Sequence, residues 1–382
     1  MEGVSRPLAN QTAPLPRRHS GRSLAFIRNL WDKHQAKALF LKRSVANGLN
    51  KEQVEALLKK ADSYKELSGL FSNIFQDHQA QAEYWADIGL KTRARDYYLE
   101  AALWAFYAQL LMSDNDKGKA QAYFRCAQSY RIAAPYFTHP GHAIEISYQL
   151  GSLKGYLRLP SCEADSPHFP LVIILNSLNS TKEEMYYTES TFLNEGLATL
   201  SFDYPGTGES IGSQRQSFNV DALGHSLYLG ITSCKEISPS RIALYGISLG
   251  GTIALAWAAN NPWRFRAVAT LSTPYDNHTL RTRLLPHDKR PRTALVEVVS
   301  ELAHEITQKI SVKDYLANVV CPILVASGGR DKLIKAADAR LIYDQSAAYD
   351  KKLLFCTRAG HGCYEMMPSL RYEIARWIKQ RI

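Results

Sequence analysis

A serine between glycines is the residue of this sequence with the clearest potential for nucleophilic chemistry. Ser248 lies in the turn Gly246-Ile247-Ser248-Leu249-Gly250, after the apolar run 241–245 and before the helix-forming run 252–259. In such a strand–turn–helix arrangement the hydroxyl is exposed at the end of the strand, and the helix directs free N–H groups toward developing negative charge. We therefore predict that Ser248 is a nucleophile. The alternative is a tight turn in which the glycines serve packing alone.

A serine nucleophile requires a general base and a carboxylate that orients this base. Asp331 follows the apolar run 323–326 and a Gly-Gly turn, and His361 stands between two glycines after the run 352–355. Both residues would lie at the carboxyl ends of neighbouring strands, where active sites of α/β proteins form. The sequence thus predicts a catalytic triad of Ser248, Asp331 and His361. The alternatives are an Asx turn or helix cap at Asp331 and an ordinary loop histidine at His361.

Two backbone donors are needed to stabilise the oxyanion that forms when a serine attacks a carbonyl group. The N–H of Leu249, directly after the nucleophile, is the first candidate. The second donor would come from the loop that follows the apolar run 171–175, where Ser177 and Leu178 are the candidates.

Other polar residues near these turns have structural interpretations. Ser180 and Glu183 have the spacing of a helix capping box. The glycine-rich turn 203–210 lacks the Gly-Lys-Ser/Thr ending of a phosphate-binding loop, so we interpret it as a structural turn in which Asp203 accepts hydrogen bonds from backbone amides. As candidates for the lining of a substrate pocket we select Asn179, Tyr204, Ile247 and His278.

The elements that must position these residues follow from the apolar runs. From about residue 144 onward, short continuous apolar runs alternate with helical stretches. This pattern indicates an α/β fold with a mainly parallel sheet that is buried on both faces by helices. The runs 144–150 and 153–159 predict an antiparallel hairpin at the first edge of that sheet.

The first part of the chain has a helical period instead. Between about residues 24 and 136 apolar residues recur at steps of three and four, and the polar segment 113–118 separates two such helices. The pair is similar to a tetratricopeptide hairpin, but a single pair cannot form a solenoid, so we expect it to pack against the second part. We divide the chain into a disordered basic tail (1–22), a helical cap domain (23–140) and a catalytic domain (141–382).

The helical part is rich in aromatic residues. Such residues suggest a bulky, largely apolar substrate, although they could equally hold the cap against the sheet. They are Tyr84, Trp85, Tyr97, Tyr98, Trp104, Phe106 and Tyr107.

Composition excludes several other classes of protein. The 382 residues carry a net charge of +10, with the basic excess concentrated in the first 43 residues, and the remaining basic residues are scattered without a nucleic-acid-binding motif. Arg17-Arg18 is followed by an apolar stretch too short for a signal sequence. Because no run of 18 apolar residues occurs, we expect no membrane span. As a partner we expect a small-molecule substrate, and neither a nucleic acid nor a membrane.

The cysteines favour a reduced, cytoplasmic protein. There are six of them, with no Cys-x-x-Cys pair and no spacing that suits zinc. We interpret Cys321 and Cys356 as small core residues beside strands. No cofactor and no metal ion are expected.

Three segments of the sequence together resemble one known family. They are 179–184 (Asn-Ser-Thr-Lys-Glu-Glu), 203–210 (Asp-Tyr-Pro-Gly-Thr-Gly-Glu-Ser) and 246–251 (Gly-Ile-Ser-Leu-Gly-Gly). They are similar to α/β hydrolases with an N-terminal helical cap, the group of FrsA-like esterases and 2,6-dihydroxypseudooxynicotine hydrolase-like enzymes, and the segment 94–102 is like their cap helix. Over about residues 65–382, the resemblance implies a pocket between cap and sheet, the triad Ser248, Asp331 and His361, and a homodimer.

One departure from that family leaves the reaction open. Relatives usually have Gly-Gly-Leu and an acidic residue where this chain has Asn176-Ser177-Leu178-Asn179, so the oxyanion hole could be altered. The first reaction is hydrolysis of an ester, lactone or thioester through an acyl-serine, plausible in the tailoring of polyketide-type secondary metabolites. The second is carbon–carbon bond hydrolysis next to a ketone, and the third is non-hydrolytic acyl elimination, transfer or cyclisation. A catalytically dead binding protein is a further alternative.

Overall fold

The structure is a computed structural model that describes residues 34–112, 117–149, 151–161, 168–205, 207–210, 218–276 and 310–382. The predicted disordered tail (1–22) and the candidate pocket residue His278 lie outside these residues. Within them, no helix is long and apolar enough to cross a membrane.

Helices form the N-terminal part of the described chain. Asn50 accepts a hydrogen bond from the N–H of Gln53, and Ser63 accepts one from Glu66, so the second and third helices begin with side-chain caps. These helices share one apolar core, to which Phe71 and Trp104 contribute. Their bounds are α1 (His34–Ala46), α2 (Lys51–Lys60), α3 (Tyr64–Asp87), α4 (Lys91–Leu110) and α5 (Lys117–Ala133).

An eight-stranded sheet forms the second part, in the order β1-β2-β4-β3-β5-β6-β7-β8. The pairs β1–β2 and β2–β4 are antiparallel, and the other pairs are parallel. The predicted mainly parallel sheet with an antiparallel hairpin at its first edge is confirmed. The strands are β1 (Gly141–Tyr148), β2 (Gly151–Arg158), β3 (Phe169–Leu175), β4 (Ala198–Phe202), β5 (Ile237–Ile247), β6 (Ala267–Leu271), β7 (Ile323–Gly328) and β8 (Lys351–Cys356).

Helices cover both faces of this sheet. Separate apolar cores lie on its two faces, one containing Trp257 and the other Trp377. Continuous apolar strands are explained by this double burial. The helices are α6 (Tyr186–Asn194), α7 (Val220–Thr232), α8 (Leu249–Asn260), α9 (Ala336–Gln345) and α10 (Met367–Lys379).

Buried polar contacts join the helical part to the sheet. The hydroxyl of Tyr107 in α4 donates to Glu184 (2.8 Å), and the hydroxyl of Tyr123 in α5 donates to Asp203 (2.9 Å). The expectation that the helices pack against the second part is therefore confirmed. The helical part ends at Tyr136 and the first strand begins at Gly141, whereas the predicted domain boundaries themselves stay a prediction.

Candidate active site

Ser248 lies between the end of β5 and the start of α8, and its backbone is strained. Its φ is 54° and its ψ is −116°, a conformation that non-glycine residues rarely adopt. The N–H of Ser248 donates to the carbonyl of Leu271 on β6 (2.8 Å), which fixes the turn against the neighbouring strand. Strain of this kind persists only where the surrounding structure holds it, and it is common at catalytic residues.

The glycines on both sides of Ser248 are required by close backbone approach. A Cβ atom on Gly246 would lie 2.4 Å from the carbonyl oxygen of Gly250, and one on Gly250 would lie 2.1 Å from the carbonyl oxygen of Leu175. Real Cβ atoms do not come so close to backbone. The predicted packing role of these glycines is thus part of the same turn that holds Ser248, which is 7% exposed.

Asp331 and His361 meet at the carboxyl ends of β7 and β8. The Nδ1 atom of His361 lies 2.8 Å from Oδ2 of Asp331, whose side chain is fully buried. The other carboxylate oxygen, Oδ1, accepts hydrogen bonds from the N–H groups of Leu333 (2.8 Å) and Ile334 (2.9 Å). The Asp331 carboxylate therefore does two things. It accepts the backbone hydrogen bonds expected of an Asx turn, and it also orients the imidazole of His361.

The environment of Asp331 favours its ionised form. Burial by itself opposes ionisation, but the charge and hydrogen bond of His361 and the two backbone N–H groups together lower the pKa of the Asp331 carboxyl below its usual value. An ionised Asp331 at Nδ1 holds the imidazole in the tautomer whose Nε2 can accept a proton.

Ser248 and His361 line the same cavity. It has about 620 Å³ of empty space, including its opening to solvent. Four other residues predicted from sequence for the oxyanion hole or the pocket also line it, namely Ser177, Leu178, Asn179 and Ile247. The residues of the cavity that sequence reasoning missed are Leu39, Arg43, Leu333, Ile334 and Tyr364.

The candidate oxyanion donors lie on two sides of this cavity. Leu249 is the first residue of α8, so its N–H has no acceptor within the helix. Ser177 and Leu178 belong to the loop after β3, which borders the same space.

Tyr204 lies away from this cavity. Its side chain is fully buried, and its hydroxyl donates to the backbone carbonyl of Asn176 (3.3 Å). Because that hydroxyl is used inside the protein, the structure does not bring Tyr204 to the pocket for which it was predicted.

Arg43 of α1 is a buried cation at the cavity. It is 3% exposed, its Nε and Nη2 atoms donate to the two carboxylate oxygens of Glu184 (both 2.7 Å), and Nη1 donates to Oδ1 of Asn179 (3.1 Å). Burial disfavours the charged guanidinium, but Glu184 outweighs it and raises the pKa of Arg43. In the sequence, Arg43 could be recognised as a cavity residue only by its position four residues after Leu39, on the same face of the helix. It was not distinguished from the other basic residues of the N-terminal region.

The loop segment 180–184 ties the cap to the sheet and does not form the predicted capping box. Thr181, not Ser180, precedes the short 3₁₀ helix 182–185, and Thr181 makes no side-chain capping bond. The hydroxyl of Ser180 donates to Glu184 instead, because Glu184 is the carboxylate that Arg43 draws into the interior.

The same loop places a lysine among three carboxylates. Oxygens of Glu183, Asp203 and Glu209 lie within 4.8 Å of one another, as a metal site would require. The ammonium group of Lys182 contacts all three, at 2.7, 2.6 and 2.9 Å, and occupies the position of a cation. Asp203 also accepts bonds from the N–H groups of Lys182 (3.0 Å) and Glu209 (3.1 Å), as predicted for a structural turn.

The cap aromatics do not reach the cavity. Trp104, Phe106 and Tyr107 are buried in the helical core, with Phe71 edge-on to Trp104 at 4.9 Å between ring centroids. Tyr84 is 54% exposed on the surface. The cap aromatics therefore do not line the described cavity, and most of the buried ones pack within the helical core and not against the sheet.

The sheet order, the helices on both faces and the strained serine turn are those of the α/β-hydrolase fold. The alpha/beta hydrolase fold family matches residues 170–296. The chain thus has the α/β-hydrolase fold with an N-terminal helical region, and the resemblance of its sequence motifs to α/β hydrolases is confirmed.

Known proteins of this kind are similar over most of the chain. 2,6-Dihydropseudooxynicotine hydrolase of Paenarthrobacter nicotinovorans is 28% identical over 310 residues, which are 80% of this chain and 82% of that enzyme. Esterase FrsA of Photobacterium profundum is 22% identical over 320 residues, or 80% and 74% of the two chains. The crystal structure of 2,6-dihydroxy-pseudo-oxynicotine hydrolase superimposes with a TM-score of 0.73 at 24% identity, covering 89% and 95%. That likeness shows the shared fold.

Proposed function

We propose that this protein is a serine hydrolase in which Ser248 attacks a carbonyl carbon of its substrate. The observation that supports this most strongly is the strained Ser248 in one cavity with His361. The imidazole of His361 is in turn oriented by a buried Asp331. A nucleophile, a base and an orienting carboxylate are the parts that acyl transfer through a serine requires.

The chemical steps follow from these positions. Nε2 of His361 takes the proton from Oγ of Ser248 as Oγ bonds to the carbonyl carbon, and the carbonyl oxygen becomes an oxyanion. The N–H of Leu249 and an N–H of the 177–178 segment stabilise this charge. The protonated imidazole then donates its proton to the leaving group, which departs and leaves an acyl-serine. Water, activated by Nε2, hydrolyses the acyl-serine and restores the enzyme.

The substrate that this cavity favours is an ester, lactone or thioester of a bulky, largely apolar metabolite. The apolar side chains of the cavity come from α1, from the loop after β3, from the end of β5 and from the turn after β7. They include Leu39, Leu178, Ile247, Leu333 and Ile334. These apolar side chains contact the body of such a molecule, and the polar residues of the cavity direct its carbonyl to the serine.

Hydrolysis of a 4-methylumbelliferyl alkanoate ester in H₂¹⁸O tests the proposal. We expect turnover by the wild type, one ¹⁸O atom in the released acid, and a fall in kcat of about 10³-fold or more in Ser248→Ala. Ser190→Ala is the matched control, because it removes a serine hydroxyl on α6 that bonds only to the carbonyl of Tyr186. Release of the alcohol without ¹⁸O in the acid product would indicate elimination or acyl transfer and contradict hydrolysis.

A further inference from the structure

Two buried arginines next to the candidate active site are connected to the carboxylate of Glu184, Arg43 directly and Arg371 through Asn47. Arg371 of α10 is 4% exposed and donates to the carbonyl of Ala46 (2.8 Å) and to Oδ1 of Asn47. Asn47 in turn donates to Glu184 (2.8 Å), the partner of Arg43. Among the described residues, Arg371 makes no ion pair, so the connected cluster of Arg43, Glu184 and Arg371 has a net charge of +1.

The uncompensated charge faces a small inner cavity. The Nε atom of Arg371 is buried and has no hydrogen-bond partner in the described structure. Arg371 and Glu184 both line the inner cavity, which adjoins the cavity of Ser248 because Ser177, Ile247 and Tyr364 line both. Leaving a buried cation without a counter-charge is costly, so an anion in this region is stabilised.

Arg43 lines the cavity of Ser248, and one of its N–H groups makes no hydrogen bond within the described residues. A guanidinium has five N–H groups, and four of those of Arg43 donate to Glu184 and to Asn179. For the remaining N–H on Nη1, the described part of the chain provides no acceptor. A charge-assisted hydrogen bond to a ligand is therefore available there.

The identity of residue 179 keeps the cluster positive. Asn179 accepts from Nη1 of Arg43 through its amide oxygen and from Ser177 Oγ (3.3 Å), and it lines the cavity itself. An aspartate of the same shape could accept both bonds and would reduce the charge of the cluster from +1 to zero. Asn179 thus accepts the hydrogen bonds that hold Arg43 in place, and it leaves the charge of the cluster at +1.

We propose that the substrate carries an anionic oxygen (a carboxylate, phenolate or enolate) that binds to Nη1 of Arg43. This inference rests on the proposed function and names the substrate class of the same cavity. The apolar lining binds the body of the substrate, and the net positive cluster selects its acidic form. Arg43 is then a specificity-determining residue supplied by the helical cap.

Calorimetric binding of 4-phenylbutyrate and of its uncharged analogue 4-phenylbutanamide, at pH 7, tests this without requiring turnover. We expect the wild type to bind the acid at least about tenfold more tightly, equivalent to about 1.4 kcal/mol. In Asn179→Asp, where the hydrogen bonds are kept and the charge is cancelled, the preference disappears. In Lys42→Gln, the matched control on the same helix whose ammonium bonds to Glu365, it is unchanged.

A second variant keeps the test independent of residue 179. Arg43→Gln combined with Glu184→Gln removes the ion pair without leaving a buried carboxylate unpaired. The charge of Arg371 remains, but the preference for the acid is abolished because the Nη1 donor of Arg43 is lost. Equal binding of acid and amide by the wild type, or an undiminished preference in both variants, overturns the inference. Labelling of Ser248 by a fluorophosphonate, measured on the same samples, reports separately on the proposed nucleophile.

Discussion

The imidazole Nδ1 of His361 lies 2.8 Å from a carboxylate oxygen of Asp331, and this contact joins two turns that are 30 residues apart in the chain. The second carboxylate oxygen is held by the N–H groups of Leu333 and Ile334. The orientation of Asp331 is thus fixed by its own turn, and the imidazole is fixed by Asp331. The buried carboxylate of Asp331 thus orients the imidazole that we propose as the general base.

Replacement of Asp331 by asparagine should lower the catalytic activity and leave the fold intact. Asparagine can accept the bonds from Leu333 and Ile334, but its uncharged amide favours the wrong imidazole tautomer. We expect kcat for the umbelliferyl ester to fall by about 10³–10⁴-fold. Asp344→Asn, at an exposed pair with Arg340, is the control and should keep full activity. A decrease of less than tenfold in Asp331→Asn would show that this carboxylate does not orient the base.

The stability difference between wild type and Asp331→Asn should depend on pH. The pKa of the Asp331 carboxyl is lowered in the folded protein, so its ionised form stabilises the fold at every pH above the unfolded value of about 3.9. That contribution is lost as the pH falls through the lower folded value. Urea unfolding should show the same difference in unfolding free energy between wild type and Asp331→Asn at pH 7 and at pH 5. The difference should be smaller at pH 3.5. A difference that grows toward pH 3.5 would contradict the direction of the shift.

The strained backbone of Ser248 predicts that glycine stabilises the protein at this position. Its φ of 54° and ψ of −116° are accessible to glycine at little cost. Ser248→Gly should raise the free energy of unfolding by about 1 kcal/mol, the lower end of the range for such strain. Ser248→Ala, which keeps the Cβ atom and the strain, is the control and should change stability little. Thermal unfolding of both variants measures this difference in stability. A glycine variant less stable than the alanine variant would show that the backbone of Ser248 is not strained.

The glycine at 246 should behave in the opposite way when it gains a methyl group. A Cβ there would meet backbone at 2.4 Å, so Gly246→Ala should destabilise the fold by about 2–3 kcal/mol and displace Ser248. Gly69, inside helix α3, has no atom within 4 Å of the added Cβ. Gly69→Ala should therefore stabilise by about 0.5–1 kcal/mol. The same sign for both substitutions, measured by urea unfolding, would be evidence against the close approach.

The sequence allowed the sheet and the serine turn to be predicted because their signals are local. Strands β3 and β7 contain the apolar runs 171–175 and 323–326, since burial on both faces of the sheet favours apolar residues there. Ser248, Asp331 and His361 each follow a different apolar run in the sequence, so each could be assigned to the end of its own strand. No long-range information was needed for these predictions.

The cap side of the cavity could not be predicted in this way. Arg43 is buried because Glu184, 141 residues later, pairs with it, and one sequence does not show such a partner. The capping box at Ser180 and Glu183 was wrong for the same reason, because the neighbouring Glu184 faces inward and captures the serine hydroxyl. The aromatic residues of the cap suggested a ligand site, but most of them pack in the core of the helical part.

An activated nucleophile at Ser248 should react with a fluorophosphonate, and the position of the adduct can be mapped. After reaction of the folded wild-type protein with the probe, peptide mass spectrometry should locate one adduct on the peptide that contains Ser248. The rate of labelling should fall by at least about tenfold in His361→Asn, because the general base is lost, and labelling should be absent in Ser248→Ala. An adduct on another residue, or equal labelling of wild type and Ser248→Ala, would contradict the claim.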